Sequence, residues 1–186
     1  DFPPLPPESQ SDRSDDPLTV SVDMGTYDNF KASAEATNRG QQHYREGRVA
    51  EAVAEWRAAV ELDPRNARAQ NQLAWIMLAG PQDMRDPEKA LLAATAAVDE
   101  EPFVTQYLNS LGIAQYRVGK WSDAICSLSK SVEINRSADS FDGFFLAMAH
   151  WQRGEKEVAR DWLKKAITWM DMHAPANAEQ HCACDQ

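Results

Sequence analysis

The C-terminal hexapeptide HCACDQ holds the side chains of this chain that are best suited to binding a metal. His181, Cys182 and Cys184 lie within four consecutive residues, and imidazole and thiolate are ligands for Zn²⁺ or Cu⁺. A closed structural zinc site takes four protein ligands, and this sequence offers no second pair to complete one. A metal or redox carrier is therefore a remote alternative, and we assign no cofactor and no metal site.

The other residues with reactive side chains do not form a catalytic motif. The sequence contains neither a nucleotide-binding loop nor a Gly-x-Ser-x-Gly nucleophile elbow. His43 and His150 occupy equivalent places in two helices, where a packing role is expected. Three cysteines make an odd count, which argues against a disulfide framework. The sequence thus predicts a protein that is not an enzyme.

The charge and hydropathy patterns restrict the kinds of partner. The 186 residues carry a net charge of -10, and Lys and Arg are scattered singly among acids. A nucleic-acid binder is expected to present a basic patch or stripe. The longest apolar run, Leu73–Gly80, is far shorter than the ~20 residues that span a membrane. We predict a soluble protein without a nucleic-acid partner or a membrane span, either cytoplasmic or exported after processing.

The elements that position these residues are paired amphipathic helices. Leu108–Asn135 reads as two short helices that meet at Gly119, and this pattern recurs before and after it. Four alanines mark the same place in successive second helices, at intervals of 38, 34 and 35 residues: Ala52, Ala90, Ala124 and Ala159. The longest interval is explained by four extra residues in the loop Pro81–Pro87. The spacing predicts four helix-turn-helix units.

The residues of these units resemble the tetratricopeptide repeat family, whose period is 34 residues. The third unit matches best, through Leu108, Leu111, Gly112, Ala124 and Leu128. Its departures are Tyr116, one place late, and Arg136, where proline is usual. The repeats also look like the arrays of planctomycete-type bacterial proteins, which suggests a bacterial source. The resemblance implies an all-α, right-handed superhelical solenoid of about four repeats, with extended N- and C-terminal tails.

The predicted domain organisation follows from this register. Residues 1–30 form an acidic, proline-rich extended tail, in which an alternating stretch, Leu18–Met24, is either a linker or a strand that pairs with a partner. The repeat domain covers residues 31–172, and residues 173–186 form a C-terminal tail. The four units are predicted at residues 35–66, 67–104, 105–138 and 139–171.

The family resemblance also implies that the first helices line a concave groove. Asn pairs well with an extended peptide backbone, while Tyr, Trp and Arg are common interface anchors. For Trp75 and Phe144, packing between repeats is an equal alternative. The candidate groove residues are Tyr44, Arg45, Asn71, Trp75, Asn109, Tyr116, Arg117, Phe144 and Trp151.

We therefore predict a non-catalytic protein-protein interaction module, an adaptor or assembly subunit that binds a peptide or protein in its groove. The alternative is an accessory or regulatory segment of a larger enzyme or multi-subunit complex. Trp162, Trp169 and Met170 leave apolar surface on the last helix, where a terminal repeat normally presents a polar cap. This end predicts self-association, or cover by residues 173–186 or by a following domain.

Overall fold

A computed structural model describes residues 24–135 and 140–173 of the chain. These residues contain eight α-helices and no strand, so the predicted all-α fold is confirmed for them. The helices are Met24–Arg45 (α1), Val49–Leu62 (α2), Ala67–Ala79 (α3), Pro87–Glu100 (α4), Thr105–Arg117 (α5), Trp121–Asn135 (α6), Ser140–Gln152 (α7) and Lys156–His173 (α8).

The helices stack as four consecutive pairs. Each odd-numbered helix packs on the helix that follows it, and α2, α4 and α6 pack on the first helix of the next pair. Contacts also join α3 to α5 and α5 to α7, so the first helices of successive pairs line one inner face. This arrangement is the predicted right-handed superhelical solenoid, because each pair buries its apolar face on its neighbours.

The turns within the pairs follow two different rules. Gly47, Gly119 and Gly154 adopt φ values of 77° to 81°, a left-handed conformation that side chains disfavour, and each ends the first helix of its pair. The second pair uses the longer loop instead. Asp86 caps α4 by accepting a hydrogen bond from the Lys89 amide at 3.1 Å, and Pro87 takes the first helical position.

Small residues let the two helices of a pair approach closely. A Cβ atom added to Gly112 would lie 2.5 Å from Cγ of Leu128, and one added to Gly40 would meet the Trp56 ring at the same distance. Trp56, Leu128 and Ala124 are fully buried. The small residues of one helix thus form the space that large residues of the other fill.

The first helix begins earlier than the sequence predicted. Residues 24–30 belong to α1, so the extended tail predicted to reach residue 30 is wrong in its last seven residues. No proline follows Pro17 before Pro64, and Gly25 near the start of α1 does not interrupt the helix. The predictions for residues 1–23, the C-terminal tail from residue 174 and the cluster His181, Cys182 and Cys184 fall outside the described residues.

Candidate functional site

A polar cavity of about 270 Å³ opens on the inner face between α3, α5 and α7. It contains two of the predicted groove asparagines, Asn71 and Asn109, together with Trp75. None of the described residues that line it is charged. The lining is Asn71, Gln72, Trp75, Thr105, Gln106, Asn109, Ser110, Ser131, Asn135 and Phe141.

Asn71, which lines this cavity, also carries an unsatisfied hydrogen-bond acceptor. Its Oδ1 atom is buried and has no hydrogen-bond partner among the described residues. The position of the side chain is fixed by α3, whose N-terminus is capped by Asn66 through a 2.9 Å hydrogen bond from the Ala69 amide. A buried acceptor without a partner costs about 1–3 kcal/mol. A ligand that donates a hydrogen bond at this point would recover that cost.

Asn109 occupies the equivalent place in the next unit but is already engaged. Its side-chain amide donates a hydrogen bond to Asp142, which is 1% exposed. Asp142 also accepts a hydrogen bond of 2.9 Å from the Ser131 hydroxyl. The amide nitrogen of Asn109 therefore helps to join the third and fourth units, and the two asparagines differ in what they offer a ligand.

Asp142 is a residue that the sequence prediction missed. In the preceding units its place is taken by Ala69 and Tyr107, which are buried in apolar clusters. Ser131, its partner, stands where the other second helices have Ala59, Ala97 and Ala166. Polar residues at both positions of one junction, Asp142 and Ser131, were the sequence signal that could have predicted this hydrogen bond.

A second cavity, of about 250 Å³, is apolar and lies at the C-terminal end of the stack. It brings together three predicted groove residues, Tyr116, Phe144 and Trp151. The Tyr116 ring meets Phe145 edge-on, with 5.6 Å between the ring centroids. Trp151 is 51% exposed, and the Lys156 ammonium lies 5.5 Å from its ring centroid. The cavity lining is mainly apolar, with Arg160 as its charged residue, and it suits an apolar side chain.

Three predicted groove residues line neither of these two cavities. Tyr44 packs its ring 5.8 Å from the Trp56 ring, between their centroids, near the end of α1. Arg45 is exposed at the last position of α1. Arg117 is exposed beside Tyr116, in a shallow depression that also includes Gly119. The predicted set is thus divided into two clusters and three peripheral residues.

The repeated histidines do not form a reactive centre. His150 makes a hydrogen bond from Nδ1 to the Glu155 carboxylate across the turn at Gly154. This hydrogen bond holds the pKa of Glu155 below its ordinary value. The Nδ1 atom of His43 is buried and has no hydrogen-bond partner among the described residues. The two rings share a register position but have different surroundings, as expected for packing residues.

A third cavity, of about 520 Å³, lies outside the groove and was not predicted. Its walls come from α2 and α3, and the loop between α3 and α4 closes one side. Val53, Leu73 and Met77 are among its apolar residues, while Arg57 and Lys89 are among its charged ones. The sequence signal for it was the four-residue lengthening of the Pro81–Pro87 loop.

The described residues give no support for other site classes. Within residues 24–135 and 140–173, no group of three or more His, Cys, Asp or Glu residues is arranged to hold a metal ion. No helix in these ranges is long and apolar enough to cross a membrane. Cys126, on α6, is an exposed free thiol.

Helix pairs stacked around a shared inner groove define the class of helical repeat solenoids. Family models place the chain within this class: one described as a TPR repeat matches residues 40–78, and one described as a tetratricopeptide repeat matches residues 82–139. Together they cover a little over half of the sequence. The chain belongs to the tetratricopeptide repeat family.

Solved structures share this fold at low sequence identity. MamA is 18% identical with a TM-score of 0.62, over 79% of this chain and 85% of that chain. MamA 41-end from Desulfovibrio magneticus RS-1 is 15% identical with a TM-score of 0.63, over 77% and 78%. The first TPR domain of Spaghetti (RPAP3), bound to the HSP90 peptide SRMEEVD, is 14% identical with a TM-score of 0.51, over 76% and 95%. No curated protein matches this chain by sequence.

Proposed function

We propose that this chain is a non-catalytic adaptor or assembly subunit that binds an extended segment of another protein along its inner groove. The observation that carries the proposal is that Asn71 lines the polar cavity and that its buried Oδ1 atom has no hydrogen-bond partner among the described residues. An extended peptide presents backbone N–H groups, which are the donors that this acceptor lacks.

The two cavities support a bipartite mode of recognition. Near Asn71 the lining is uncharged and rich in amides, which favours contacts with the backbone or with neutral side chains. The apolar cavity around Phe144 and Trp151 supplies a pocket for a hydrophobic anchor. The RPAP3 domain binds the acidic peptide SRMEEVD, whereas the lining of the polar cavity here offers no cation to a carboxylate. The recognised segment is therefore neutral at this point.

A peptide selection tests the proposal. Peptides of about twelve residues are selected from a random phage-displayed library on the full chain, and their dissociation constants are measured for the chain and for Asn71→Leu. Leucine has nearly the same size as asparagine but no acceptor, so we expect about tenfold weaker binding. Gln42→Leu, on the exposed side of α1 and outside both cavities, is the matched control and leaves the affinity unchanged. Equal affinity in all three proteins would refute the groove assignment.

A further inference from the structure

The last helix, α8, has a face that every other second helix buries. Trp56, Ala94 and Leu128 hold equivalent positions in the second helices of the first three units, and each is 0% exposed. Their counterpart on α8, Leu163, is 42% exposed. Trp56 and Leu128 pack against Gly40 and Gly112 of their own pair, and Trp56 also packs with Ile76 of the next first helix. Within the described residues no helix follows α8 to cover this face. The fourth unit thus has an uncovered interface position.

The uncovered face is a stripe of five residues, which we call the α8 stripe: Arg160, Leu163, Ile167, Met170 and Asp171. At 3.6 residues per turn they lie within about 100° of the helix circumference. Ile167 and Met170 are 41% and 46% exposed. Of the three residues that the sequence predicted for self-association, Met170 lies on the stripe, whereas Trp162 and Trp169 lie on the other side of α8. The Lys165 ammonium covers the Trp162 ring, and His173 stacks on Trp169.

Stacking of copies head to tail does not account for this face. Such stacking would place α1 of the next copy on α8, in the way that α3 lies on α2. The positions through which first helices contact the preceding helix are apolar at Leu73, Leu111 and Leu146. In α1 the equivalent residue is Arg39, which pairs with Glu55 at 2.8 Å. Burying this ion pair against an apolar stripe is unfavourable, so α1 is a polar cap and not a partner for α8.

We infer that the α8 stripe pairs with the α8 stripe of a second copy, antiparallel and about a two-fold axis. An axis midway between residues 163 and 167 puts Leu163 of each copy opposite Ile167 of the other. Arg160 and Asp171 are eleven residues apart, three helical turns, so each Arg160 then lies beside Asp171 of the other copy. The interface is isologous, with an apolar centre and two ion pairs.

The charges of the stripe are available for this arrangement. Asp171 has no ion-pair partner among the described residues. Arg160 pairs with Glu157, whose side chain is 84% exposed. An exposed pair of this kind contributes little to stability, so its exchange for a pair at the edge of an interface costs little.

Sedimentation velocity of the full chain across a range of concentrations tests the inference. The wild-type chain is expected to dimerise reversibly. Ile167→Asp should weaken the dimer by at least about tenfold, because it puts a carboxylate at the apolar centre. Val158→Asp is the matched control, since Val158 is 42% exposed on the same helix but lies off the stripe, and it leaves the dimer unchanged. Arg160 and Leu163 of the stripe also line the apolar groove cavity, whereas Ile167 and Val158 line neither groove cavity. Peptide binding by the Ile167→Asp and Val158→Asp variants therefore separates this inference from the proposed function.

A charge exchange makes the test specific for the two-fold arrangement. Arg160→Asp should weaken the dimer about tenfold, and the double variant Arg160→Asp with Asp171→Arg should return to within about threefold of the wild type. A chain that stays monomeric up to about millimolar concentration overturns the inference. So does a double variant that is as weak as the single one. A monomer in which Ile167→Asp lowers the melting temperature would instead indicate that another part of the chain covers α8.

Discussion

Two neighbouring junctions of the solenoid use the same pair of positions in opposite ways. Between the third and fourth units, Asn109 donates to the buried carboxylate of Asp142. Between the second and third units the equivalent residues are Asn71 and Tyr107, and Tyr107 is buried beside Ala67 and Ala97. Tyr107 supplies an aromatic ring where Asp142 supplies a carboxylate, so the second junction has no counterpart of the hydrogen bond that Asn109 donates. The atom of Asn71 that is buried and unpaired is its Oδ1. One junction pairs its asparagine with a neighbouring unit, and the other leaves the Oδ1 atom of its asparagine unpaired among the described residues.

The comparison teaches that equivalent positions in a repeat are not equivalent sites. Position 107, in the following helix pair, carries a tyrosine, so the second junction lacks the carboxylate with which Asn109 pairs in the third. A polar network joins the third and fourth units, whereas the second junction contains an asparagine whose buried Oδ1 has no partner among the described residues. The proposed function therefore depends on the second unit.

The largest expected effect comes from removing the carboxylate of the polar junction. Asp142→Ala leaves the amide of Asn109 without its acceptor and leaves the Ser131 hydroxyl with the Thr105 carbonyl oxygen, at 3.3 Å, as its remaining acceptor. We therefore expect about 2–4 kcal/mol lower free energy of unfolding. Tyr107→Phe, the change at the equivalent place in the apolar junction, should cost less than about 1 kcal/mol. Urea denaturation of both variants checks this. Equal losses would remove the distinction between the junctions.

A smaller loss of stability is expected from a substitution that tests the alignment of the repeats directly. Ala124 is 0% exposed at the crossing of α5 and α6, so Ala124→Leu should overpack this crossing and cost about 1–3 kcal/mol. Ala34→Leu is a control, because Ala34 is exposed on α1, and thermal melts compare the two. An unaltered melting temperature for Ala124→Leu would mean that the repeats are aligned wrongly.

The smallest expected effect is a loss of stability at acidic pH. A hydrogen bond from Arg65, 2.9 Å from Nε to Oε2, lowers the pKa of Glu100 below the ordinary 4.5. A hydrogen bond from His150 similarly lowers the pKa of Glu155. A carboxyl group with a lowered pKa in the folded state stabilises the fold above its unfolded pKa, and this stabilisation is lost as the pH falls through the folded pKa.

Stability should therefore decline as the pH falls from about 5 to below 4. Glu100→Gln should flatten part of this decline while Glu155→Gln flattens another part, because the two pairs lie in different regions of the stack. Denaturation midpoints measured between about pH 3 and pH 7 compare the variants, a range that includes the ordinary carboxyl pKa values of roughly 3.5–4.5. A pH profile that neither substitution alters would show that these pairs do not contribute.

Much of the fold was predictable because it depends on local and periodic signals. The recurring alanines show the period of the repeat. Neighbouring residues in the sequence indicate the turn glycines Gly119 and Gly154 and the cap formed by Asp86 and Pro87. The start of α1 was not predicted, since the alternating residues Leu18–Met24 suggested extended structure up to a point where the chain is already helical.

The candidate site was predicted only in part, for a physical reason. The family resemblance predicted Asn71, Trp75 and Asn109 as groove residues, and all three line one cavity. The pairing of Asn109 with Asp142 depends on a contact with the following unit, and a repeat consensus averages over such contacts. Comparing Tyr107 with Asp142, one unit apart, would have found this pairing. The outer cavity and the α8 stripe depend on a lengthened loop and on the last helix, where periodicity gives no guidance.

The most direct test of the central claim measures stability and peptide affinity together for Asn71→Leu and Asn109→Leu. We predict that Asn71→Leu leaves the free energy of unfolding unchanged or raises it, because a buried unpaired acceptor is removed, while peptide binding weakens about tenfold. Asn109→Leu should lower the free energy of unfolding by about 1–2 kcal/mol, because Asp142 loses a donor. A destabilised Asn71→Leu that binds peptide as well as the wild type would contradict the account.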